Sequence, residues 1–185
     1  MGLRRSAAFT LYALACSALA QAQPGARNMA LAGYSDLQGR SAYQPVIQQQ
    51  EGRWIAYIGH HGGSAVNTLT RRNEPSGTSI VDVTAPAAPR MLHHIPGAPG
   101  HGGSGGAQMA RVCAGSQLPH GAPGHHYLLR TYGNEAHEVW DVTAPERRAA
   151  SRAWTGFTVR TRTTGSATAA LPIWSRACQA GARIA

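Results

Sequence analysis

Nine histidines are the side chains best able to do chemistry in this sequence, and six of them form adjacent pairs: His60-His61, His93-His94 and His125-His126. The others are His101, His120 and His137. Imidazole ligates Zn, Cu, Fe or Ni when several rings converge. Neighbours on an extended strand point to opposite faces, so each pair offers at most one inward ligand. A candidate transition-metal site therefore centres on His60 or His61 together with His93 or His94. No H-E-x-x-H or comparable spacing occurs to place a full ligand set. His101, His120 and His125 lie among Gly and Pro and read as exposed loop residues.

Two carboxylates, Asp82 and Asp141, look like a general acid–base pair until their surroundings are compared. Each sits in the phrase Asp-Val-Thr-Ala-Pro, as Asp82 to Pro86 and as Asp141 to Pro145, with the two Asp 59 residues apart. A carboxylate repeated in identical surroundings reads as a structural one, accepting backbone N–H bonds at a strand-end turn. Asp82, Thr84 and Pro86, and Asp141, Thr143 and Pro145, are thus repeat-turn residues, and no catalytic residue is assigned. The run Gly102-Gly103-Ser104-Gly105-Gly106 lacks the Lys and the strand-loop-helix setting of a phosphate loop. It reads as a flexible surface loop. His137 and Glu138 flank Trp140 and could line a polar pocket, though alternation on a hairpin face accounts for them equally well. Cys113 and Cys178 follow no C-x-x-C pattern, so Cys113 is either a buried structural thiol or half of a single disulfide.

The elements that position these residues are strands. Each Asp-Val-Thr-Ala-Pro follows a β-branched apolar run, Ile80-Val81 or Val139-Trp140, and Asp, Thr and Pro then stop it. Further strands are predicted over 54–59, 90–95, 107–112 and 127–132, the last joined to 136–143 by the turn pair Gly133-Asn134. Long loops are predicted around residues 59–77 and 96–125, the stretch 96–106 being too rich in Gly and Pro to offset ordering entropy by packing. No apolar period of 3.6 residues occurs after the first twenty residues or so. The fold class is all-β.

The segments Thr78-Ser79-Ile80-Val81-Asp82-Val83-Thr84-x-Pro86 and His137-Glu138-Val139-Trp140-Asp141-Val142-Thr143-x-Pro145 resemble the LVIVD repeat of secreted or cell-surface bacterial β-propellers. The resemblance spans residues 28–146. It implies four-stranded blades in a radial array, whose central channel could gather histidines from several blades, and it implies no particular activity. Blades of about 40–50 residues, with at least four needed for closure, exceed this length. The expectation is an incomplete propeller-like stack of two to three blades, the N-terminal part of something longer.

Residues 1–22 read as a signal peptide. Arg4 and Arg5 precede an apolar stretch from Ala7 to Leu19, and an A-x-A pattern places cleavage between Ala20 and Ala22. Secreted or periplasmic localisation follows, with lipid anchoring through Cys16 as the alternative. No other segment is apolar and long enough to be a transmembrane helix. The net charge of +9 comes entirely from Arg, and between Gln23 and Glu146 eight Arg face eight carboxylates. That balance argues against nucleic acid as a partner. The repeat region is thus 23–146. In the Arg-rich tail, 147–185, acids and alternation cease together. The tail reads either as disordered or, from about residue 157, as out of frame: Thr163 to Arg176, back-translated and shifted by two bases, can encode an aromatic pair, a carboxylate, a Cys and a Gly-bounded strand. The functional expectation is a non-catalytic binding module for a protein or cell-surface glycan, with no cofactor. The alternative is a periplasmic metal-dependent enzyme using channel histidines.

Overall fold

The computed structural model describes residues 28–118 and 121–147. The chain divides into two compact units, Met1–Leu31 and Ala32–Ala185, and every described strand lies in the second. The signal segment, Cys16, His120, Cys178 and the Arg-rich tail beyond Arg147 lie outside the described residues.

Ten strands form antiparallel sheets, and no α-helix occurs among the described residues. The first sheet has the order β1-β2-β5-β6, from Tyr43–Gln50 (β1), Arg53–Gly62 (β2), Thr78–Asp82 (β5) and Arg90–Ile95 (β6). A small hairpin, Ser64–Asn67 (β3) with Arg72–Pro75 (β4), is inserted between β2 and β5. Gly102–Ala107 (β7) pairs with the far end of β2. The second sheet, β10-β9-β8, comprises Ala110–Ala114 (β8), His126–Tyr132 (β9) and Ala136–Asp141 (β10). The all-β expectation is met, and among the described residues no sheet closes on itself.

Alternation dictates how the two sheets meet. Ile55 and Tyr57 of β2, Ile80 of β5, and Leu92 and Ile95 of β6 pack in one buried cluster with Ala110 and Val112 of β8, Leu128 of β9 and Val142. Each fully buried aliphatic side chain in it is worth about 1.5–3 kcal/mol. The opposite face of the first sheet carries Ala56, Ile58 and Val81, which cluster with Leu37 from a short 3-10 turn, Leu37–Gly39.

Two predicted loops contain strands. Residues 59–77 hold the end of β2 and the β3–β4 hairpin, whose polar sequence gives no alternation to read. The Gly-rich run at 102–106 is most of β7, where backbone packs directly on backbone. A Cβ on Gly106, at φ +78°, would lie 2.3 Å from the His60 carbonyl oxygen. One on Gly62 would lie 2.6 Å from the Gly100 oxygen, and one on Gly97 2.5 Å from the Ser76 oxygen. Ordering entropy is offset here by main-chain hydrogen bonds and close approach, such as Gly106 N–H to the Ala98 oxygen at 2.8 Å. Strand β1 was also hidden, because a Gln-rich edge strand with an exposed face lacks an apolar signature.

Candidate functional site

The repeated phrases build the same clamp twice. Asp82 Oδ1 accepts from Thr84 N–H at 2.9 Å, and Asp141 Oδ1 accepts from Thr143 N–H at 3.0 Å. The threonine hydroxyl then accepts from a backbone N–H on the neighbouring strand, Trp54 to Thr84 Oγ1 at 2.9 Å and His126 to Thr143 Oγ1 at 3.0 Å. The next backbone bonds match too: Val83 N–H to the Trp54 oxygen at 2.9 Å, and Val142 N–H to the His126 oxygen at 2.8 Å. Pro86 and Pro145 each occupy the tight turn that follows, closed by Ala88 N–H to Ala85 oxygen and Arg147 N–H to Ala144 oxygen.

A basic side chain stands beside each aspartate at the equivalent place, one residue ahead of the clamped N–H. It is Arg53 for Asp82, at 3.9 Å, and His125 for Asp141, whose Nδ1 lies 2.7 Å from Oδ2. Arg53 also pairs with Glu146 of the second repeat, and Arg90 lies 3.6 Å from Asp82. Hydrogen bonds from Thr84 hold the Asp82 carboxyl below its ordinary range. Burial opposes the same shift in Asp141, and the Thr143 bonds with His125 outweigh it. The His125–Asp141 pair has the look of a catalytic dyad, but its twin at Arg53–Asp82 assigns it to the scaffold. His125, expected to be merely exposed, is held by its hydrogen bond to Asp141.

Of the four candidate metal-ligating histidines, the fold brings two together. Ser79 pairs with His94 across β5–β6 and with Ile58 across β2–β5, which puts His60, Ser79 and His94 on one face. His93 pairs with Ile80 and therefore points the other way. His61 meets the edge of the Tyr43 ring, with centroids 4.9 Å apart. His60 and His94 are almost fully buried, their ring centroids 5.9 Å apart. His60 Nδ1 donates to the Ser41 carbonyl and its Nε2 accepts from Ser79 Oγ at 2.7 Å. His94 Nε2 donates to the Pro75 carbonyl at 3.0 Å, leaving Nδ1 turned toward the same hydroxyl at 3.5 Å. Burial pushes both imidazoles down to about 4, so both rings are neutral at pH 7. Among the described residues no three His, Cys, Asp or Glu side chains gather as a metal-ligand set.

A second buried polar group was not foreseen. Arg130, 1% exposed, lies on the face between the sheets. Its Nε donates to Glu138 Oε2 at 2.8 Å, NH1 to the Ile95 oxygen at 2.8 Å and NH2 to the Pro96 oxygen at 2.6 Å. Its guanidinium also stands 5.2 Å from the centre of the Trp140 ring, and Trp140 Nε1 donates to Glu138 at 2.9 Å. This one side chain ties the second sheet to the end of β6. The signal was present: the Gly133 turn sets Arg130 directly opposite Glu138, and Arg130 interrupts an apolar run. Glu138, read with His137 as a candidate pocket lining, belongs with Trp140 to this interior tie. His137 sits on the other face of β10, opposite Thr131.

Cys113 is fully buried and disulfide-bonded. Among the described residues no helix is long and apolar enough to cross a membrane. Comparison with protein-family models, curated proteins and solved structures finds no match.

Proposed function

We propose that this chain is a propeller-type repeat module of the LVIVD kind, carried by an exported protein, that binds a protein or cell-surface glycan without catalysing a reaction. The observation that carries this reading is a difference between the two repeats. Strands β1, β2 and β5 correspond to β8, β9 and β10 through the duplicated clamp. Where the second repeat turns tightly at Gly133-Asn134-Glu135, the first inserts the whole β3–β4 hairpin. In repeat scaffolds such insertions project from one face and often serve as the binding surface. This hairpin exposes Val66 and Leu69, 58% and 52% accessible, at its outer end. On a braced hairpin these two exposed aliphatic side chains offer a small docking point.

The bracing is visible in the side chains. Asn67 Nδ2 and Thr70 Oγ1 both donate to Glu74, at 2.8 and 2.6 Å, and Arg40 NH2 donates to the Ala65 oxygen at 2.9 Å. The rival, a metal-dependent enzyme, draws its support from the convergence of His60 and His94. Against it stands the use of both His60 nitrogens in hydrogen bonds.

The test is binding of the purified chain to printed cell-surface glycans and to a displayed-peptide library, with metal content measured in parallel. Val66→Ser with Leu69→Ser should weaken the selected interaction more than tenfold without shifting the melting midpoint. Unchanged binding in that double variant removes the hairpin from the proposal. Stoichiometric metal lost in His60→Ala or His94→Ala would favour the enzyme.

A further inference from the structure

We infer that His60, Ser79 and His94 form a proton-operated latch, which takes up one proton while closed and opens on the second. It stands on geometry independent of the proposed binding function. The Ser41 and Pro75 carbonyls can only accept, so His60 Nδ1 and His94 Nε2 must carry hydrogens. The remaining nitrogens, His60 Nε2 and His94 Nδ1, are then both acceptors, and both face the Ser79 hydroxyl. That hydroxyl has a single hydrogen and gives it to the nearer ring, at 2.7 Å. The cluster is therefore one donor short at His94 Nδ1.

A proton added there supplies the missing donor. His94 Nδ1–H then donates to Ser79 Oγ, and Ser79 donates onward to His60 Nε2. Every nitrogen in the chain is satisfied and one charge is held. A second proton would go to His60 Nε2, placing two imidazolium rings about the serine and leaving the serine hydrogen without an acceptor in the chain. The charged groups facing the pair are Arg40, ahead of β1, and Glu74, on β4. Glu74 favours the first charge, and Arg40 opposes each. On β2, β5 and β6 the groups facing each other are the two histidines and Ser79.

What the latch holds is specified by its outer bonds. His60 fastens the segment at Ser41, whose hydroxyl also accepts from His61 N–H at 3.1 Å. His94 fastens Pro75, the last residue of the inserted hairpin, beside Ser76, whose N–H bonds to the Gly63 oxygen at 2.8 Å. The outer bonds survive protonation, since an imidazolium still donates from the same nitrogens. What opens the latch is the burial and mutual repulsion of two charged rings. They move out to water and take residues 40–41 and the base of β3–β4 with them, while the core between the two sheets remains.

The experiment is an acid titration of the full chain by NMR, following both imidazole rings and the amides of Ala65 and Ser76. One proton should enter with both rings shifting together and the Ser76 amide still protected from exchange. Further acid should then release the hairpin amides as a group. In Ser79→Ala the joint first step should split into two separate ring titrations, with the hairpin opening on the first. Should that variant fail to fold, the titration of the parent chain decides alone. Rings that titrate independently in the parent, an identical titration in Ser79→Ala, or opening with the first proton would each overturn the latch.

Discussion

Arg130 gives the most demanding test at the scale of one residue, because its cost and its benefit differ so widely. Burial lowers the guanidinium pKa, and Glu138 partly restores it. Replacing it with Met keeps the volume but removes the donors to the Ile95 and Pro96 oxygens and the cation beside Glu138, which keeps its bond from Trp140 Nε1. Removing one partner of a buried pair costs about 3–5 kcal/mol. Arg130→Met should therefore cost several kcal/mol in chemical denaturation, whereas Arg130→Met with Glu138→Gln should recover much of the loss. Arg130→Lys should not rescue, since an ammonium cannot reach Glu138, Ile95 and Pro96 from one planar fork. The buried histidines make the second prediction at this scale. Their folded values lie near 4 against 6.5 when unperturbed, so between those values the unfolded chain binds more protons than the folded one. Stability is then fully present above pH 6.5 and falls as pH drops toward 4, by an amount on the order of a few kcal/mol. Urea midpoints measured from pH 8 to pH 4 should decline across that window. A flat profile there would contradict the burial of these rings.

At the scale of elements, glycine separates two kinds of strand. Gly106 in β7 and Gly52 in the β1–β2 turn have nearly equal φ, +78° and +79°. A Cβ on Gly52 meets nothing within 4 Å, while one on Gly106 runs into main-chain atoms of β2. Gly52→Ala should cost only the left-handed backbone penalty, about 1 kcal/mol. Gly106→Ala should cost at least twice that and lower the protection of β2 amides at His60 to Gly62. Hydrogen exchange on the two variants checks both statements, and equal losses would mean that β7 yields without moving β2. The same contrast explains what could be read in advance. The strands β2, β5, β6, β9 and β10 announce themselves by apolar, β-branched residues. Strands β1, β3, β4 and β7 carry Gln, Asn, Arg or Gly, and are held by pairing and backbone approach that no local pattern encodes. The clamp residues Asp82, Thr84, Asp141 and Thr143 were legible because they recur. Arg130 occurs once and needed the hairpin register. Adjacency showed that His60-His61 and His93-His94 could each send one ring inward, but the shared serine could not be seen, because Ser79 looks like any other strand residue.

For the whole molecule, the two repeats share a core but differ in completeness. Ile55, Tyr57, Ile80, Leu92 and Ile95 from the first sheet meet Val112 and Leu128 from the three described strands of the second. The core therefore depends on both sheets, and damage to either should unfold the pair as one unit. Among the described residues, β10 is the outer strand of its sheet on the side where the first repeat has β6. Its sequence, Ala-His-Glu-Val-Trp-Asp, holds neither Pro nor Lys to discourage a newcomer. Alternate main-chain groups of that strand point away from β9. The concentration of the protein then becomes a variable of its chemistry. Among the described residues no strand pairs with that rim, and as molecules crowd, an extended segment of any neighbour competes for it with no need of a matching side chain. The time a sample stays clear should shorten steeply as concentration rises, and a proline placed at Val139 should lengthen it.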